Sequence, residues 1–268
     1  MKLGRFFDTE EIYNKEPHLR NSHIKEIVKS PAHMKAAMDK VFADSRAFDE
    51  GKAVHSVLLE QNLDKFIKRP AGIDGRTKDG KAKLDELKAT GKIILDADVF
   101  DSMYDRLKVF VNSNEAMKLY NGATIEESFY TAHAISGMLL KARPDIYKPG
   151  IMADIKTTSN MAWFEKDIVK YGYHIQAGFY SLVTRLVTGI KTKEFVFIAQ
   201  EKVAPYGIQV FSINESQLNV LEEKATELIF RASVSIKENH FPCFDDVKKE
   251  IVLPAYALTN DSFFEEVG

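Results

Sequence analysis

Asp145, Asp154 and Lys156 stand in the stretch RPDIYKPGIMADIKTTSN (143–160), a D-x8-D-x-K spacing. Two carboxylates offer oxygen ligands to a hard cation such as Mg2+ or Mn2+. An ammonium two residues beyond can hold or deprotonate an attacking water and offset the charge of a pentacovalent phosphorane. Ile151, Met152, Ala153 and Ile155 suit a pleated, mostly buried segment, and Asp154 and Lys156 do not. Side chains alternate along a strand, so these two charges project to the same side. The competing reading is a plain Asp–Lys ion pair on an exposed hairpin. For a lone D-x-K that reading is the commoner one, because the motif is so short.

Residues around the motif raise the functional reading. Gln176 and Tyr180, four apart in a helical stretch, share one helix face and can reach one substrate; the alternative is a polar helix boundary with the tyrosine packed inward. His55, in GKAVHSVLLE, is the isolated polar group of an apolar run. It is either a satisfied core or surface histidine or the third member of a His/Asp/Asp ligand set. Glu126 and Ser128, in GATIEESFYT, are expected on one face of a strand, with Glu126 facing solvent, bonding a metal-bound water or serving a second ion.

The elements that must position these groups follow from periodicity and punctuation. Residues 22–40 read as two short helices broken at Ser30-Pro31, and 44–61 as a third with an apolar stripe of Phe48, Val54, Leu58 and Leu59. Residues 71–83 read as a glycine-punctuated basic loop, followed by a helix, a short strand at 92–95 and a helix to about Val111 that Asp96 or Asp98 caps. Strands are expected at 123–132, 135–143 and 151–158, the last after a Pro149-Gly150 turn. A long helix at about 165–188 stops at Gly189. Paired strands at 195–200 and 206–213 precede a helix from Asn214 to about Asn239, opened by an N-E-S-Q capping box. The pattern is an α/β domain with a helical N-terminal part, not a regular doubly wound fold.

Composition bounds the function. The 268 residues are 45% hydrophobic and 28% charged, an ordinary balance for a soluble globular chain. One cysteine, Cys243, excludes a disulfide framework, a four-cysteine iron–sulfur site and a zinc knuckle, and fits a reducing cytoplasm. The start has no apolar signal region, and no run of eighteen apolar residues occurs, so neither secretion by a signal peptide nor a membrane span is expected. A net charge of −2 disfavours a nucleic-acid coat protein but not a metal-dependent enzyme on nucleic acid. From Lys65 to Lys92 nine Lys or Arg stand against four acids. That stretch is either a solvated surface or a phosphate-facing one.

The segments SPAHMKA, GKAVHSVLLE, DGRTKDGKAK, EESFYTAHAISGMLLKARPD, IMADIKTTSN and YGYHIQAGFYS together resemble the exonuclease VIII (RecE-like) family of phage and prophage recombination nucleases. That family lies in the wider PD-(D/E)xK superfamily. The resemblance runs from about residue 22 to 185, with its motifs in the family's order, and nothing beyond about 215 carries it. It implies an α/β, restriction-endonuclease-like core with a central mixed sheet flanked by helices. The single domain spans 1–268, with a helical part to about 120, a catalytic core over about 121–240 and a tail over 241–268. The implied activity is a processive exonuclease using one or two Mg2+ ions (Mn2+ as substitute), which degrades the 5′-ended strand of duplex DNA and leaves 3′ tails for a single-strand annealing protein.

By the same resemblance His55, Asp145, Asp154 and Ile155 hold metal and Lys156 is the catalytic lysine. Asp145, Asp154, Glu126, Gln176 and Tyr180 complete the catalytic set, and Gln176 and Tyr180 border the DNA. Arg76, Lys78, Lys81 and Arg143 are the expected phosphate contacts. A closed homo-oligomeric ring in the cytoplasm of a bacterial host is also implied, although many relatives carry this domain at the end of a longer chain. The competing functions are an endonuclease or flap nuclease on the same core, and a non-catalytic DNA-end-binding scaffold.

Overall fold

The structure is a computed structural model and describes residues 2–39, 53–60, 63–245, 247–254 and 258. Its centre is a five-stranded mixed sheet in the order β10-β9-β8-β7-β4, comprising β4 Thr124–Ile125, β7 Ile146–Lys148, β8 Ile151–Thr158, β9 Glu194–Glu201 and β10 Ile208–Asn214. β8 and β9 run parallel; the other neighbours are antiparallel. A three-stranded sheet of β1 Gly4–Phe6, β5 Ser128–Ala132 and β6 Leu139–Ala142 lies beside it, and β2 Phe66–Lys68 pairs in parallel with β3 Ile93–Leu95. The N-terminal part is therefore not wholly helical: it supplies β1, β2 and β3.

β8 decides where the chemistry sits, and its alternation is strict. Met152 packs in one apolar cluster with Phe179, Leu182, Phe195 and Phe197, beneath the helices Tyr173–Thr188 and Glu215–Lys237. Ala153 and Ile155 pack on the opposite face with Val54, Val57, Leu58, Val196 and Ile198. Asp154 and Lys156, in phase with Met152, therefore face the Tyr173–Thr188 helix. The helix expected at 44–61 is described only over 53–60, where Val54, Leu58 and Leu59 are buried as its stripe predicts; Phe48 lies outside the described residues.

Several expectations need correction. The strand expected at 123–132 breaks into β4 and β5, which belong to different sheets, and Glu126 at the break takes a left-handed φ of 49°. Its neighbour Glu127 turns the other way, its buried carboxylate forming a bidentate pair with the half-exposed Arg5 at 2.6 and 2.9 Å and accepting from Thr124 Oγ1 at 2.7 Å. Glu126 and Ser128 therefore do not share a strand face. The strand expected at 135–143 shortens to β6. The helix expected at 165–188 is two, Phe164–Lys170 and Tyr173–Thr188, because Gly172 adopts a φ of 71° that ends the first. The basic loop ends early: Thr77 caps a helix Lys78–Ala89 by accepting from Gly80 N–H, so Lys78 and Lys81 are helical. Asp96 takes the N-cap position of the helix Ala97–Val111 without a side-chain capping bond, and its carboxylate accepts from Arg69 at 3.1 Å.

Two long helices cover the sheet and meet at Gly178. A Cβ there would stand 2.3 Å from the carbonyl oxygen of Leu221 in the neighbouring helix, a clash with backbone that no rotamer relieves. Gly178→Ala is expected to destabilise by about 1–3 kcal/mol, a drop of roughly 2–10 °C in a thermal melt. An unchanged melt would show that the helices can part there freely. The Asn214 capping box is present as expected, with Asn214 Oδ1 accepting from Gln217 N–H at 3.0 Å.

Candidate active site

The D-x8-D spacing acquires its meaning from the hairpin. Pro149 and Gly150 make a two-residue turn, with Gly150 at a φ of 86° that suits glycine. The ladder then pairs Lys148 with Ile151, Tyr147 with Met152 and Ile146 with Ala153. One step further, Asp145 falls opposite Asp154, and residues directly opposite in an antiparallel pair project to the same face. Lys156 lies two residues on, on that same face. Spacing and turn length together bring two carboxylates and an ammonium to one end of the sheet.

Each of these groups is engaged. Asp154 is buried, forms an ion pair with Lys156 and accepts from Gln176 Nε2 at 2.5 Å. Its Oδ2 faces the Lys156 ammonium but accepts no well-oriented hydrogen bond. Asp145 accepts from the backbone N–H of Ile155 at 2.6 Å, and its Oδ1 lies 3.4 Å from His55 Nδ1. Lys156, with a side chain only 18% exposed, sits 4.8 Å from the ring centre of Tyr173. Gln176 is thus a clamp on Asp154. Gln176→Leu should cost 10- to 100-fold in activity, as for other outer-shell partners of ligand side chains. A variant as active as the parent would show that Asp154 holds its place without the amide.

Electrostatics drives the two carboxylates apart. Burial raises Asp154, and the neighbouring Asp145 adds to that, against the lowering effect of Lys156. Burial also penalises Asp145, but His55, Lys156 and the Ile155 N–H outweigh it and hold this carboxyl below its usual range. His55 loses from burial and gains more from Asp145 and Asp154, so its imidazole is pushed up to about 9. Lys156 is likewise penalised by burial and held above its ordinary value by the two acids. Tyr180 is pushed well above the usual tyrosine value, chiefly by burial.

A cleft of about 870 Å3 opens over this end of the sheet. His55, Glu126, Arg143, Asp145 and Tyr180 line it, while Asp154, Lys156 and Gln176 lie behind Asp145. Arg143 grips the turn at Glu126, donating from Nε to its carbonyl and from a terminal nitrogen to Oε2, each at 3.0 Å. Glu126 N–H donates in turn to the Asp145 carbonyl at 3.0 Å. Arg76, Lys78 and Lys81 are not among the lining residues. Arg76 is 92% exposed in its side chain and folded back onto Asp74 at 3.0 and 3.1 Å. Among the described residues the lysine and arginine that reach the cleft, beside His55, are Lys65 and Arg143.

The opposite wall is the N-terminal segment, including Phe7, Asp8 and Tyr13. The sequence reading did not find it. It is fastened by tertiary contacts that no local pattern signals: Lys141 Nζ donates to the carbonyls of Tyr13 and Glu16 at 2.5 and 2.7 Å, and Tyr130 donates to Asp8 at 2.6 Å.

The donor chemistry fits a hard divalent cation: two carboxylates across one rung of the ladder and a neighbouring imidazole, with Asp154 Oδ2 held against the Lys156 ammonium. The expected ligand set is nevertheless not assembled. Among the described residues no three His, Cys, Asp or Glu side chains converge as an ion-holding group. The physical reason is visible in the pairing, since Asp154 is turned to Lys156 and Gln176 while Asp145 is turned to His55 and Ile155 N–H. Ile155 itself points its side chain into the core, which leaves only its backbone at the site.

The fold and this carboxylate–carboxylate–lysine hairpin define a PD-(D/E)xK architecture. Residues 21–244 match the family described as a PDDEXK-like domain of unknown function (DUF3799), and the chain belongs to that family. The structure is similar to that of a candidate exonuclease from Eubacterium rectale, with a TM-score of 0.64 at 16% identity, over 96% of this chain and 99% of that one. A phage-related exonuclease from Haemophilus somnus aligns with a TM-score of 0.35 at 11% identity, over 83% of this chain and 96% of that one. An alkaline exonuclease from Laribacter hongkongensis aligns with a TM-score of 0.33 at 13% identity, over 86% and 96%. The shared fold is carried by the first of these. No curated protein matches the chain significantly.

Proposed function

We propose that this protein is a divalent-metal-dependent exodeoxyribonuclease that digests the 5′-ended strand of linear duplex DNA and leaves 3′ tails. The observation that carries the nuclease reading is Asp145, in the lining of a cleft, opposite Asp154 with Lys156 on the same face. Strand polarity, supply of the tail to a single-strand annealing protein, and a homo-oligomeric ring around DNA ends rest on the resemblance of the motifs between 22 and 185. Among the described residues no helix is long and apolar enough to cross a membrane.

Asp145, Asp154, His55 and the backbone at Ile155 are the groups that would hold Mg2+ or Mn2+. When bound, such an ion supplies Lewis acidity at the scissile phosphate and a more acidic water. Lys156 orients the attacking water and offsets charge on the phosphate oxygens. Gln176 fixes the Asp154 carboxylate, Arg143 secures the Glu126 turn at the cleft mouth, and Tyr180 borders the strand being cut.

The test is digestion of linear against covalently closed circular duplex. Linear DNA should be consumed with Mg2+ or Mn2+, the circle spared, and both untouched in EDTA; Ca2+, with more ligands at longer distances, should inhibit. Cleavage of the closed circle would make the enzyme an endonuclease. Full activity in chelator would remove the metal-dependent reading altogether.

A further inference from the structure

On the Lys156 side of the site lies a group of residues that the hydrolytic site does not use. Trp163 is the single tryptophan of the chain, and it is 54% exposed. Lys166 stands 3.8 Å from its ring centre. Lys170 stands 5.1 Å from the ring centre of Tyr171, itself 48% exposed. Lys166 and Lys170, spaced i, i+4, share one face of the short helix Phe164–Lys170, and Trp163 and Tyr171 are the residues that cap its two ends. Neither lysine is bonded to a carboxylate among the described residues.

This face is continuous with the site. The rings of Tyr171 and Tyr173 are 5.8 Å apart, and the Tyr173 ring lies 4.8 Å from Lys156 Nζ. Gly172, between the two tyrosines, leaves room for the stem of Lys25, whose carbons would stand 3.8 Å from a Cβ there. Exposed rings flanked by unpaired ammoniums are poor material for a protein interface, whose core is depleted of lysine. They are the components of a sequence-independent single-strand site, in which bases stack on rings and cations meet the backbone.

We propose that Trp163, Lys166, Lys170 and Tyr171 form a track for single-stranded DNA, leading to or from the Lys156 side of the active site. Bases stack on the two rings, and the two lysines meet successive phosphates. The source of the strand rests on the nuclease reading, but binding to the track does not.

Because Trp163 is the only tryptophan, its emission reports on this face alone. Oligodeoxythymidylate titrated into the full-length protein in EDTA should quench it saturably and with strong salt dependence. Binding of a labelled oligothymidylate, read by anisotropy, should weaken about five- to hundredfold in Trp163→Leu, the range for loss of one stacked base. In the Lys166→Ala/Lys170→Ala double variant the salt slope should fall by about 1.4, or roughly 0.7 per lost contact on a single strand. All four side chains face solvent, so thermal melts of the variants should match the parent. Oligothymidylate binding that leaves Trp163 emission and the variant affinities unchanged would overturn the track. So would a change in emission that follows protein concentration without DNA, which would place a second copy on this face. A protein that quenches as expected but cuts nothing keeps the track and loses the nuclease reading. One that cuts linear duplex with Trp163 indifferent to DNA keeps the nuclease reading and loses the track.

Discussion

Lys156→Met should leave a folded protein whose single-turnover digestion of linear duplex falls by a factor of about 10² or more, the usual cost of losing an electrostatic or acid–base group. The side chain is 18% exposed and is held between Asp154 and the Tyr173 ring, so methionine fills much of its volume. Removing the ammonium leaves Asp154 without its cation, and the buried carboxyl then moves further toward its neutral form. Duplex binding should change little, because Lys156 lies behind the cleft lining rather than in it. If the lysine were only one half of a structural ion pair, any loss of digestion would follow the loss of fold, and the two can be compared in one thermal series. A folded Lys156→Met variant cutting at the parent rate would end its catalytic role.

Asp154→Asn is expected to abolish the response of the protein to metal as well as its activity. A ligand that binds only the native state stabilises it by about 2.7 kcal/mol at a hundredfold excess over Kd, roughly 5–10 °C in the melt of a chain this size. The parent should therefore melt higher in Mg2+ than in EDTA. Asparagine keeps the oxygen that Gln176 grips, but it places an amide where Oδ2 faced Lys156 and removes one anion from the site. The Mg2+-dependent rise should collapse, together with a fall in rate of about 10² or more. Lys156→Met separates the two roles: it should lose rate while keeping a metal-dependent rise in melting temperature. An Asp154→Asn protein that still melts higher in Mg2+ would place the ion elsewhere.

The most legible part of the fold was the hairpin, because its turn chemistry and its two carboxylates are all local. Pro149-Gly150 fixes the turn and the apolar run fixes β8, so Asp145, Asp154 and Lys156 could be brought together on paper. Asn214 and Gly189 announced their helix ends for the same reason. What escaped was set by contacts distant in sequence. No glycine marks the reversal at Glu126, where the chain leaves one sheet for another; the Arg5–Glu127 pair, 122 residues apart, secures it. The N-terminal wall is tied down by Lys141, whose apolar neighbours suit a buried strand but say nothing of the distant carbonyls it reaches. Charge density along a chain says nothing of direction: Arg76 is folded onto Asp74, two residues away, outside the cleft lining. The split at Gly172 did carry a signal, a glycine between two tyrosines, which the apolar periodicity on either side masked.

The rung that sets Asp145 across from Asp154 also acts as a gauge on how this sequence can drift. Adding or deleting one residue between the two acids would shift the ladder by a step and swing one carboxylate into the core beside Ile155. The stretch from Lys156 to Gln176 crosses a turn and a separate short helix, so it can absorb a change of length without moving either end of the site. Among sequences sharing this frame, the interval between the two aspartates should stay fixed while the path from the lysine to the glutamine lengthens and shortens. The site would then be recognisable by its nine-residue stride long after the rest of the surface has been rewritten.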